Sequence, residues 1–215
     1  AEAQLCAMMM PGCSKVVPQL KDAVVLQSLT GPAASGLDPK GRIQTPLGAM
    51  GYTALLDPSA TKAKTLAEYA KGRLVWYSMT HGQLAAGEGS ENFIFRGLEF
   101  SDKSLLTAAE LESLDLNYKL VMVEGCCSAQ TVPLNSVEVI HPIEMLKGEG
   151  AKNARETDVL LQQCEEFADS FGPDSAYVGW AWEMTSNTAQ SWMSLLLNNL
   201  KGGSTVAKAH EDFLR

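Results

Sequence analysis

At 215 residues, 46% hydrophobic and 20% charged, the chain has the make-up of one soluble globular domain with a single core, and disorder is not expected. A formal net charge of −8 excludes nucleic acid and anionic membrane as natural partners and suits a peptide or protein substrate, in particular a basic segment of one. No apolar run approaches the roughly 18 residues that a membrane span needs, and nothing in the pattern speaks to oligomeric state.

One domain is expected over 1–215, with residues 1–50 the hardest to read. Apolar groups between Val16 and Leu29 supply a first strand around Ala23–Leu29. Gly31 to Gly51, rich in Gly, Pro and small residues, reads as a long surface loop. From Pro58 to Lys71 the alanines at 60, 63, 67 and 70 have helical spacing, with Gly72 as the stop. The apolar run Leu74–Thr80 is a buried strand that ends at His81-Gly82. Gln83–Glu91 reads as a loop, and Glu91–Gly97 with Leu98–Phe100 as a small hairpin. The loop's Gly87-x-Gly89 lacks the strand and helix that a nucleotide-binding turn requires.

Thr107-Ala108-Ala109-Glu110 fits a capping box, a hydroxyl followed three residues later by a carboxylate, and opens a short helix ending near Leu114. A second buried strand at 120–125 runs into Gly125-Cys126-Cys127-Ser128. Residues 129–150, punctuated by Pro133 and Pro142, read as loop. A helix carrying Leu160, Cys164, Phe167 and Phe171 on one stripe then stops at Gly172-Pro173. Ala176–Trp182 is a further strand. A long helix burying Ala189, Trp192, Met193, Leu196 and Leu200 closes at Gly202-Gly203 and leads into a terminal helix through Ala209 and Phe213. Strands alternating with helices imply an α/β fold: a three-layer α/β/α sandwich around a mostly parallel sheet.

Five cysteines are too few for a disulfide scaffold. Cys6 and Cys13 form one staple if the protein is exported, and the opening at Ala1 fits a trimmed export signal as well as a recombinant start. Cys127 and Cys164 read as buried small hydrophobes. The odd count leaves a free thiol, for which Cys126 is the candidate. With no C-x-x-C pair and no histidine cluster, neither a metal site nor an organic cofactor is expected.

The chemistry lies at the two strand ends. Taken singly, His81 reads as a strand-end histidine and Cys126 as a buried thiol. Together they are the base and nucleophile of a thiol enzyme, each beside a glycine that lets a substrate carbonyl approach the backbone. The N–H groups of Gly82 and Cys126 are candidate oxyanion donors.

Tyr77-Ser78-Met79-Thr80-His81-Gly82 and Leu120-Val121-Met122-Val123-Glu124-Gly125-Cys126-Cys127-Ser128-Ala129 resemble the two catalytic signatures of clan CD cysteine peptidases, the caspase-hemoglobinase group. The likeness extends to Leu105–Leu111, Ala176–Trp180 and Gly202–Ala209, so it spans roughly residues 60–213. It implies a caspase-hemoglobinase type fold and a cysteine endopeptidase with His81 as catalytic histidine and Cys126 as nucleophile. The second cysteine departs from the pattern, and a swapped role for Cys127 or a vicinal disulfide are its alternatives.

By the same resemblance Glu124, two positions before the nucleophile, lines the S1 pocket. A carboxylate there favours Lys or Arg at P1 by charge pairing, or Asn by hydrogen bonding; its other reading is a bond to a nearby N–H. Trp180 and Trp182 end a strand on the same rim and either wall a substrate pocket or pack in the core. His141 and His210 read as structural or exposed, and Glu165-Glu166 and Glu211-Asp212 as solvated helix faces. The rival functions are a catalytically silent binding or scaffold module of the same fold and a different thiol acyl-transfer enzyme.

Overall fold

A computed structural model describes residues 22–70, 73–86, 92–114, 116, 118–129, 134–135, 167–172, 174–180 and 184–213. Its centre is a five-stranded sheet in the order β2-β1-β3-β7-β9, formed by β1 (Asp22–Gln27), β2 (Thr53–Asp57), β3 (Val75–Met79), β7 (Leu120–Val123) and β9 (Ala176–Val178). All four pairings are parallel. The three inner strands earn that position by composition. Ala23 to Leu26, Val75 to Met79 and Leu120 to Val123 are buried on both faces, the near-continuous apolar pattern that a covered parallel sheet requires.

Helices flank both faces. On one, α1 (Thr45–Ala49), α4 (Ser186–Lys201) and α5 (Val206–Phe213) set Leu47, Trp192, Met193, Leu196, Val206 and Ala209 against Val25, Tyr77, Met79 and Met122. On the other, Leu111 of α3 (Ala108–Glu112) and Tyr69, which follows α2 (Lys62–Lys64) in a π-helical turn, join Phe167 and Phe171 over Val24, Leu26, Trp76, Val121 and Val123. Trp76, Tyr118, Phe167 and Phe171 meet edge to face, the geometry their ring quadrupoles favour. The capping box is formed as read: Glu110 accepts the Thr107 N–H at 3.0 Å.

The connection from β3 to β7 builds a second, antiparallel sheet. It contains β4 (His81–Ala86), β5 (Asn92–Glu99) and β6 (Leu105–Leu106), with β8 (Leu134–Asn135) pairing β5. Because β4 begins one residue after Thr80, the chain turns out of the main sheet at His81.

Several expectations are corrected. Gly31–Gly51 is not a long loop: a π-helical turn, Lys40–Gln44, runs into α1 and buries Ile43, Pro46 and Leu47. Pro46 falls just after the π-helical turn within one continuous helical run, so its presence does not mark a loop. Gln83–Ala86 are strand, paired with Gly97, Phe95, Ile94 and Phe93; their own β character is weak, and cross-strand pairing with the next segment decides. Glu91–Phe100 is not a hairpin, since Asn92–Glu99 is one strand between β4 and β6. The edge strand β2 went unread. The helix expected from Pro58 starts at Lys62, capped by Thr61, because the Ala60 N–H extends the sheet by donating to Gln27 O at 2.9 Å. Cys6, Cys13, Gly72, His141, Cys164, Glu165, Glu166 and Trp182 lie outside the described residues.

Candidate active site

β3 and β7 are adjacent, and the Glu124 N–H, donating to Ser78 O at 2.8 Å, makes their last rung. Beyond that rung the two chains separate, His81-Gly82 into β4 and Gly125-Cys126 into a tight turn. They stay in contact. A methyl group on Gly82 would lie 1.8 Å from the Cys126 carbonyl oxygen and 2.9 Å from its nitrogen, so only a glycine lets the two backbones pass.

The turn is held from β9. Tyr177 donates its hydroxyl to Ser128 O at 2.7 Å, the Ala129 N–H donates to Trp180 O at 2.9 Å, and the Trp180 N–H donates to Ser128 Oγ at 3.3 Å. These bonds fix a turn in which Cys127 takes the left-handed conformation, φ 58°, which costs a non-glycine residue roughly 1–2 kcal/mol. Cys126 and Cys127 are not joined to each other, so the vicinal disulfide is not formed. Cys127 is sealed in the aromatic cluster, whereas Cys126 is half-buried and donates to Met184 O at 3.6 Å.

Cys126 and His81 line one pocket of about 680 Å³, together with Thr80, Glu124, the loop after β1 and the start of α4. It opens at the carboxyl ends of the parallel strands, beside β1 and β3, where the strand order reverses; ligands of open α/β sheets bind at such a point. His81 is exposed at its rim. Gly82 flanks Cys126 through the backbone contact. Trp180 is elsewhere: it packs edge-on against Trp192, 5.2 Å between centroids, among the residues that cover the sheet. Among the described residues no three His, Cys, Asp or Glu side chains are grouped to hold a metal ion, and no helix is long and apolar enough to cross a membrane.

Glu124 is only 5% exposed. The Tyr77 hydroxyl donates to its Oε1, while Oε2 has no partner among the described residues. Burial pushes its pKa up to about 8, opposed by the Tyr77 bond and by the charge of Arg42. Burial and the neighbouring carboxylate likewise push the Tyr77 phenol well up, so both groups are neutral near pH 7. The sequence pattern places Tyr77 in a buried strand; the signal that it needs a polar partner is its hydroxyl, which cannot be buried alone at no cost.

The sign of the stability effect follows. Between 4.5 and about 8 the folded protein keeps a proton that the unfolded chain releases, so stability is full below 4.5 and falls as pH rises through about 8. Glu124→Gln keeps an acceptor for Tyr77 and a donor at the second position, mimicking the neutral acid. Denaturation as a function of pH should show the wild type losing on the order of a few kcal/mol across this window relative to the variant. Parallel curves for the two proteins would refute the neutral, buried state.

No protein-family model, curated protein or solved structure matches this chain.

Proposed function

We propose that the protein is a cysteine endopeptidase of caspase-hemoglobinase type, cutting after a basic P1 residue. The observation that carries this reading is the shared pocket: a half-buried thiol and a histidine from adjacent strand ends open on the same cavity. Three features support the thiol as nucleophile: it is partly exposed, it sits on a turn that residues of and after β9 brace, and it shares its pocket with a histidine that can serve as base.

In the proposed reaction Cys126 Sγ, giving its proton to His81, attacks the peptide carbonyl carbon. The oxyanion is held by the Gly82 and Cys126 N–H groups, whose backbones lie against each other. His81 returns the proton to the leaving amine as the C–N bond breaks. Water then attacks the thioester, releasing the acid and restoring the thiol. Glu124 on the pocket wall supports a basic P1 group, which would bring the counter-charge that its carboxylate lacks.

A fluorogenic library varied at P1, assayed above the Glu124 pKa of about 8, tests the substrate class. Lys and Arg should be preferred. Preference for Asp or a bulky apolar residue would remove Glu124 from the S1 role, and the absence of hydrolysis in every well would remove the peptidase.

A further inference from the structure

The pocket wall holds two buried polar atoms without partners among the described residues, Glu124 Oε2 and Thr80 Oγ1. Both accept hydrogen bonds, so together they suit a ligand group rich in donors. Among the described residues the groups around the carboxyl are few. Tyr77 reaches it from β3, and Cys126 and His81 share its pocket from the adjoining turn and the start of β4. Arg42, from the turn ahead of α1, acts on it by charge but spends its guanidinium on Asn187 Oδ1 at 3.0 Å and Ser191 Oγ at 2.9 Å. From α4 the uncharged Ser186 and Asn187 line the pocket, the uncharged Gln190 accepts the Asp38 N–H at 2.8 Å, and the Asp38 carboxylate is engaged by the Gly41 N–H at 2.8 Å.

No ion pair involves Glu124 among the described residues, so in an empty pocket its charge would be offset by Arg42 only at a distance. Among the described residues Tyr77 is the one side chain whose hydroxyl bonds the carboxyl, and such a bond is stronger to the charged form than to the neutral one.

We propose that Tyr77 is a positioning residue that determines the specificity of this pocket: through its bond to Glu124 it sets the pH above which the pocket takes a cationic side chain. Below that pH the neutral carboxyl donates from Oε2 and favours an uncharged group with an acceptor oxygen, such as a primary amide. The proposal deepens the reading of the pocket as the S1 site and rests on it.

The test is equilibrium binding of benzamidine and of its neutral counterpart benzamide, by calorimetry across pH, to the full chain carrying Cys126→Ala. Turnover and thiol ionisation are then absent. Benzamidine affinity should rise about tenfold per pH unit and level off near 8. Benzamide affinity should fall over the same range. Tyr77→Phe should move the levelling point upward by about one unit, and Glu124→Gln should bind benzamidine weakly with no pH dependence.

A flat wild-type curve, no benzamidine binding at any pH, or an unmoved levelling point in Tyr77→Phe overturns the proposal. So does a profile that persists in Glu124→Gln, which would assign it to His81. If Tyr77→Phe fails to fold, the wild-type and Glu124→Gln curves still decide whether Glu124 is the gate. Because binding is read without turnover, a protein that binds benzamidine as expected and hydrolyses no peptide loses the enzyme assignment alone.

Discussion

Cys126→Ala should reduce hydrolysis of basic-P1 peptides by at least about 10⁴-fold, the scale of losing a nucleophile when only oxyanion contacts and binding remain. The fold should survive, because Cys126 is half-buried and its thiol is bonded to a loop carbonyl rather than packed in the sheet. Cys127→Ala is the informative contrast. Its side chain is fully buried in the core cluster and does not line the pocket, so the cost is stability, about 1 kcal/mol for a small buried group, while activity is largely kept. His81→Ala should fall nearly as far as Cys126→Ala, and the double variant no further, since residues acting as a unit are not additive. Initial rates with thermal denaturation of the same preparations check all four proteins. Full activity in Cys126→Ala with loss in Cys127→Ala would reverse the roles.

The segments that read cleanly are those whose local pattern and tertiary role agree. Val75–Met79 and Leu120–Val123 are apolar at every turn of the pleat apart from Ser78, and both lie buried between helical layers. Thr107 and Glu110 carry their cap within four residues. Parallel neighbours that end together bring His81 and Cys126 to one rim, and that juxtaposition is legible once both strands are recognised.

The remaining features depend on cross-strand and buried partners that the local pattern does not carry. β4 exists because Leu84, Ala85 and Ala86 find Phe95, Ile94 and Phe93, and alone they favour no strand. Likewise the character of Glu124 is fixed by Tyr77, 47 residues away on the adjoining strand, and by the depth of the pocket wall. A carboxylate two positions before a thiol is visible as a letter; that it is neutral near pH 7 is a property of packing. Trp180 illustrates the converse, a rim position whose ring turns to Trp192.

Gly82→Ala should be more damaging than its single methyl suggests. The added carbon would lie 1.8 Å from the Cys126 carbonyl oxygen and 2.8 Å from its carbonyl carbon, distances that no pair of non-bonded atoms tolerates. The obstacle is backbone, so rotamer change cannot relieve it. Either β4 moves away, breaking its pairing from the Gly82 and Leu98 register onward, or the turn carrying Cys126 shifts against the Tyr177 and Trp180 bonds that hold it. Overpacking of this kind costs about 1–3 kcal/mol or more. The catalytic loss should be larger, at least about 10²-fold, because displacement by about 1 Å spoils both attack geometry and the oxyanion donors. Gly179→Ala is the milder contrast: its methyl would meet side-chain atoms, Ser128 Oγ at 2.7 Å, Tyr177 Cε1 at 2.9 Å and Ala129 Cβ at 3.1 Å, so it presses on the braces of the turn and not on the Cys126 backbone itself. Both variants should lose stability, but the rate per folded molecule, from initial rates and active-site titration with a thiol-directed peptide, should collapse only in Gly82→Ala. Equal rates per titrated site in that variant and the wild type would separate the Gly82 backbone from the chemistry.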